Sequence, residues 1–144
     1  MIALLDVNAL IALAWPNHVH HGAALSWFRE QQETGWATCT LTEAGFVRVS
    51  CNPGVVGRAV TPADAISLLG ELRRLGAHAF WALDHSLTDL PEGIAARLRG
   101  YRQITDAVLL AAAMRHGGQL ATLDGGLANL VGESERAALR VIPV

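Results

Sequence analysis

The stretch ITDAVLLAAAMRHGGQLATLD, Ile104–Asp124, reads in order as helix, stop, strand and acid. Thr105 stands where a helix cap is wanted, and Asp106–His116 is apolar enough to form a long buried helix. Gly117-Gly118 terminates it, as glycine commonly does at a helix C-terminus. Gln119–Leu123 is then a short apolar run of strand length, closed by the turn-forming Asp124-Gly125-Gly126. A near-continuous apolar strand fed by a helix is the pattern of a parallel sheet covered on both faces.

The rest of the chain repeats this alternation. Ile2–Leu5 is a short apolar run bounded by Asp6 and suits a buried strand, with Val7–Ala14 helical after it. His20–Gln32 has helical spacing at Ala23, Ala24, Trp27 and Phe28 and stops before Gly35. Trp36–Cys39 is a second strand, and Thr40–Val49 a helix in which Thr40 and Glu43 stand at capping-box spacing. Asn52–Gly57 reads as a loop. Thr61-Pro62 starts a helix that runs to about Leu75 and ends at Gly76. Ala79–Leu83 is a third strand, Leu90–Arg99 a short helix and Leu139–Ile142 a weak fifth strand. No hairpin signal or internal repeat interrupts the series. The expected architecture is a single α/β domain over residues 1–144, with a parallel sheet between two helical layers.

Composition narrows the function. With 144 residues, 51% hydrophobic and 17% charged, the chain can bury one sizeable core, which disfavours a disordered reading. The formal net charge is −2, so any attraction for nucleic acid must come from local arginines or bound metal. All 11 basic residues are arginine, which excludes chemistry that needs a catalytic or phosphate-binding lysine. Cys39 and Cys51 are isolated thiols without metal-like spacing. The start MIALLDVNALIALAW lacks the basic region of a signal peptide, and no run reaches membrane-span length. A cytoplasmic protein with reduced cysteines is expected.

In an open parallel sheet, ligands bind beyond the carboxyl ends of the strands. Asp6 follows the first strand, Asp124 follows the fourth, Glu43 lies in the first turn after the second, and Asp106 opens the helix leading to the fourth. Each has a purely structural reading: Asp6 and Glu43 as cap residues, Asp106 as a favourable charge at a helix N-terminus, Asp124 as a turn residue. Taken together, four carboxylates at one sheet edge repel one another, and a hard divalent cation such as Mg²⁺ or Mn²⁺ removes the conflict.

The segments LLDVNALIAL, TLTEAGFVRV, ITDAVLLAAA and ATLD resemble the signature blocks of PIN-domain nucleases, in particular the VapC-type toxins of bacterial toxin–antitoxin systems. The resemblance runs from Met1 to Val144. It implies a Rossmann-like sheet, one or two Mg²⁺ or Mn²⁺ ions and endonucleolytic hydrolysis of RNA, structured but with accessible loops. Asp6, Glu43, Asp106 and Asp124 match the family's acidic positions. Asp6 and Asp106 are expected as direct metal ligands, with Glu43 and Asp124 completing a second metal site or acting through water. Thr122 and Asn8 match polar positions beside the last and first acids. A cognate antitoxin, a homodimer and a toxin–antitoxin hetero-oligomer are the implied partners.

Arg99 and Arg102, flanking Tyr101 with Arg97 nearby, are candidates for guiding a phosphate backbone and stacking a base. His18, His20 and His21 lack an acid or cysteine to complete a metal site. Trp15, Trp27, Trp36 and Trp81 read as core or interface. A phosphatase of the haloacid-dehalogenase type expects a second Asp where Asn8 stands and a lysine the chain lacks; a receiver domain fails for the same lysine. The remaining alternative is a catalytically silent scaffold of the same fold that binds a protein partner.

Overall fold

Alternation along the strands decides what each face of the sheet buries. In β1 (Ala3–Leu5), Ala3 and Leu5 enter one apolar cluster and Leu4 the other. The first cluster gathers α1 (Val7–Ala14), α2 (His21–Gln31), α3 (Thr40–Ser50) and α5 (Pro62–Leu72) on one face. The second packs α7 (Ile104–Arg115) and Ile94 of the short α6 (Glu92–Ala95) on the other. A further helical turn, α4 (Pro53–Val56), follows α3. The computed structural model describes residues 1–144.

The remaining strands are β2 (Trp36–Thr38), β3 (His78–Phe80), β4 (Gln119–Thr122) and β5 (Leu139–Val141). All pair in parallel, in the order β3-β2-β1-β4-β5. This is an α/β fold with helices on both faces. The chain winds outward from β1 to β3 and then returns to place β4 on the other side of β1. The order therefore reverses between β1 and β4, the switch point where open sheets leave a crevice at their carboxyl ends.

Five local expectations change. Thr105 is no cap: a 3₁₀ turn at Tyr101–Gln103 runs directly into α7, which starts at Ile104 without a side-chain cap. In α3 the cap position falls on Cys39, one residue earlier than Thr40, so Thr42 takes the Cys39 N–H at 3.0 Å and Glu43 is freed for other partners. The Asn52–Gly57 segment is helical at its centre, because the Asn52 side chain caps it, Pro53 opens it and Gly57 closes it at φ 76°. The third strand lies earlier than Ala79–Leu83. The Trp81 N–H makes the last ladder bond, to the Thr38 carbonyl at 2.8 Å, and its buried ring stacks on His116; pairing with β2 ends there. The helix expected at Leu90–Arg99 shortens to Glu92–Ala95.

All four tryptophans are buried, none above 7% exposed, which assigns them to packing within the fold. Gly118 marks how closely the layers meet. A Cβ there would lie 2.5 Å from the Ile2 carbonyl oxygen and 2.7 Å from the Trp81 ring. Gly118→Ala is therefore expected to lose about 1–3 kcal/mol in urea denaturation, as overpacking typically does. Gly117 has open space but φ +64°, so Gly117→Ala should lose about 1 kcal/mol through backbone strain alone. Unchanged stability of Gly118→Ala would contradict the close approach.

Candidate active site at the carboxyl end of the sheet

Asp6 is fixed from both sides. Its N–H bonds the Ala121 carbonyl at 3.1 Å, tying the end of β1 to β4, and its Oδ1 accepts the Ala9 N–H at 2.8 Å as the cap of α1. The capping role expected of an Asp at this place is real. It also immobilises a carboxylate only 6% exposed at the crevice. Burial raises the Asp6 pKa from 3.8 to about 6; the charges of Asp106 and Asp124 push in the same direction, while the Thr122 hydroxyl and the Ala9 N–H hold it back.

Asp106 sits in the first turn of α7, half-buried, and its pKa is also raised, first by burial and then by Asp124. Asp124 is exposed. Its N–H donates to Thr122 Oγ1 at 2.9 Å and its Oδ1 accepts the Gly126 N–H at 2.8 Å, so it caps a 3₁₀ turn over Gly125–Leu130. Three of the four expected acids thus sense one another's charge. Thr122, fully buried, links two of them: it faces Asp6 and accepts from the Asp124 backbone.

Glu43 belongs to a neighbouring network. Its Oε2 accepts the Thr38 hydroxyl at 2.6 Å and lies 3.5 Å from Arg73, which follows α5. Thr38 Oγ1 is also 2.8 Å from His78 Nε2, and the His78 pKa is lowered by burial and by Arg73, with Glu43 opposing. None of Thr38, Arg73 and His78 stood out in the sequence. The β2–β3 register brings Thr38 and His78 together, and Arg73 reaches Glu43 from the end of α5. Gly45 permits the setting, since a side chain there would collide with Val7 and push α3 away from α1.

Arg102 lines a shallow concavity with Gln103, Asp106, Asp124 and Asn129. Its Nε donates to the Tyr101 hydroxyl at 3.2 Å, and Tyr101 is 80% exposed. Arg99 turns away, donating to the carbonyls of Ala96 and Leu98 beyond α6. Asn8 is exposed on the first turn of α1. The histidines near Trp15 satisfy local bonds: His18 Nδ1 accepts from the His20 backbone and His21 Nδ1 lies 2.8 Å from the Ala12 carbonyl.

The donor set is all carboxylate oxygen, the chemistry that Mg²⁺ and Mn²⁺ prefer. No three His, Cys, Asp or Glu side chains form a ready-made cage. Burial is the first cause of the raised pKa values of Asp6 and Asp106, and like charge adds to it; a nearby cation would offset that added repulsion.

The Asp6 shift sets a pH dependence. Asp6 holds its proton more tightly folded than unfolded, so its contribution to stability is greatest at acid pH, is lost as pH rises from 3.8 through about 6, and is constant above. Urea unfolding in EDTA should show Asp6→Asn gaining on the native chain by up to about 3 kcal/mol between pH 4 and 7. A difference that stays flat over that range would contradict the burial of an ionisable Asp6.

Comparison with known proteins gives the family. The PIN domain family model matches residues 3–133. Ribonuclease VapC38 of Mycobacterium tuberculosis is 47% identical over 143 residues, covering 99% of each chain. Ribonuclease VapC39 of the same species is 48% identical over 129 residues, 90% of this chain and 93% of that one. The crystal structure of PAE2754 from Pyrobaculum aerophilum aligns with a TM-score of 0.56 at 22% identity, over 96% of this chain and 83% of that chain, a likeness of fold. With a family model over most of its length and near-half identity to full-length relatives, the chain belongs to the PIN domain family.

Proposed function

We propose that this chain is a Mg²⁺- or Mn²⁺-dependent endoribonuclease and the toxin of a type II toxin–antitoxin pair. The observation that carries the reading is the convergence of Asp6, Asp106 and Asp124 on the crevice between β1 and β4, with Asp6 driven up to about pKa 6. The relatives named ribonucleases match over 99% and 90% of this chain.

Asp6 and Asp106 are the residues we assign to hold a metal directly, with Asp124 and Glu43 completing the site. A bound divalent cation supplies charge neutralisation at the phosphate and makes a water more acidic. The protein's part is to hold the oxygens still. The Ala9 N–H keeps Asp6 from rotating, the Thr122 hydroxyl favours its charged form, and the 3₁₀ turn keeps Asp124 at the rim. Arg102, on the concavity shared with Asp106 and Asp124, draws the phosphate backbone toward the carboxylates that would otherwise repel it. Asn8 offers an exposed amide beside Asp6. Arg99 contributes only where RNA displaces its backbone carbonyls. The substrate is RNA with accessible single-stranded loops, since the site lies at an open rim.

The partner that silences such a site is an antitoxin presenting an arginine to the carboxylates, which satisfies them electrostatically as the cation does. A homodimer and a toxin–antitoxin hetero-oligomer complete the proposed assembly. No helix is long and apolar enough to cross a membrane. The proposed place of action is the cytoplasm.

Purified protein should cut RNA internally in Mn²⁺ and stop in EDTA, and Asp6→Asn should be at least about a hundredfold slower. Expressed alone in a bacterial host, the native chain should slow growth and Asp6→Asn should not, at equal soluble level. Cleavage indifferent to EDTA or to Asp6→Asn would overturn the mechanism. Absence of cleavage under every metal condition would favour the silent scaffold.

A further inference from the structure

Glu43 stands apart from the other acids in how it is held. Its Oε2 receives the Thr38 hydroxyl at 2.6 Å and the Arg73 guanidinium at 3.5 Å, and both lie on the side of the carboxylate facing β2, β3 and the end of α5. Thr38 Oγ1 has a single proton. The short contact to a carboxylate takes it, so the 2.8 Å contact from Thr38 to His78 Nε2 must run the other way, with the imidazole N–H donating. The result is a directed chain, His78 to Thr38 to Glu43, that crosses from β3 to β2 to α3.

A sheet position of this kind does not call for polar residues. Thr38 is fully buried, and valine, nearly its isostere, suits a strand equally well. His78 packs its ring against Trp36 at 4.6 Å, a contact an apolar side chain could make. What the two polar groups add is an aim. A glutamate in the first turn of a helix has several rotamers. One oxygen fixed from behind leaves Oε1 as the oxygen available to a ligand.

We propose that Thr38 is a positioning residue for Glu43, held in place by the His78 N–H and assisted by Arg73, so that Glu43 presents Oε1 to the strand-end site. The inference rests on the reading of Glu43 as part of that site. Thr38 touches neither substrate nor metal in this scheme and acts only through the carboxylate. Losing such an outer partner of a ligand typically reduces metal affinity or activity about 10- to 100-fold.

The test compares Thr38→Val, which keeps the shape and removes the hydroxyl, with Thr38→Ser, which keeps the hydroxyl. Calorimetric titration with Mn²⁺ in the absence of RNA is the first readout; kcat and KM for RNA cleavage are the second. Thr38→Val should weaken Mn²⁺ binding about tenfold and lower kcat about tenfold with KM within about twofold. Thr38→Ser should restore both. Thr38→Ala, which cannot overpack, carries the same comparison if Thr38→Val fails to fold. Glu43→Gln separates the two layers of the claim. If Glu43→Gln is impaired while Thr38→Val binds and cuts as the native chain does, the positioning role is wrong and the site reading stands. If Glu43→Gln itself behaves as native, Glu43 lies outside the site and both fall. Equal loss in Thr38→Val and Thr38→Ser would show packing at position 38 and overturn the inference.

Discussion

A carboxylate buried beside two others is the constraint around which this structure is arranged. Asp6 is nearly inaccessible, yet it lies at the end of the central strand, where the fold brings Asp106 and Asp124 within electrostatic reach. Burial and like charge both disfavour its ionised form. A solvated surface acid has neither problem. The fold therefore keeps at this spot a charge that works against it unless an opposite charge arrives.

The surrounding architecture serves to keep that charge in place. The Asp6 N–H continues the β1–β4 ladder, so the residue cannot retreat without breaking the sheet at its switch point. Capping α1 commits one of its oxygens to a backbone N–H. Thr122 closes the other side and at the same time receives the Asp124 N–H, coupling the ends of β1 and β4 through one hydroxyl. On the far face, α7 packs a nearly continuous buried row, Leu109–Ala113, against the sheet, and that packing fixes the depth at which Asp106 meets the crevice. Core packing and site geometry are the same interactions seen from two ends.

Much of this was legible in the chain. The runs ALL at 3–5 and QLAT at 119–122 are apolar and bounded by acids, so the strands and the place of Asp6 and Asp124 follow from pattern alone. Asp106 was legible because it opens an uninterrupted apolar helix. Glu43 was only half legible. Its helix could be read, but the cap position is Cys39 rather than Thr40, which passes the reciprocal capping bond to Thr42. Its partners Arg73 and His78 lie 30 and 35 residues away in sequence, and their proximity is set by strand register and by where α5 ends. The third strand was misplaced for a related reason. Trp81, Ala82 and Leu83 extend the apolar run, yet the Trp81 ring stacks on His116 at the end of α7, a tertiary effect that local pattern does not encode.

The central claim is that these acids form a cation site whose mutual repulsion weakens the metal-free fold. The most direct measurement is the thermal midpoint of the native chain and of Asp106→Asn, each in EDTA and in millimolar Mn²⁺. Removing one charge while keeping the shape should leave the EDTA form as stable as the native chain or more so, by about 1 kcal/mol. It should also abolish the rise in midpoint that Mn²⁺ gives the native chain, since that rise depends on affinity for the folded state. The opposite pair of results, a less stable Asp106→Asn in EDTA with the Mn²⁺-induced rise intact, would make Asp106 a helix-terminal charge and contradict the account.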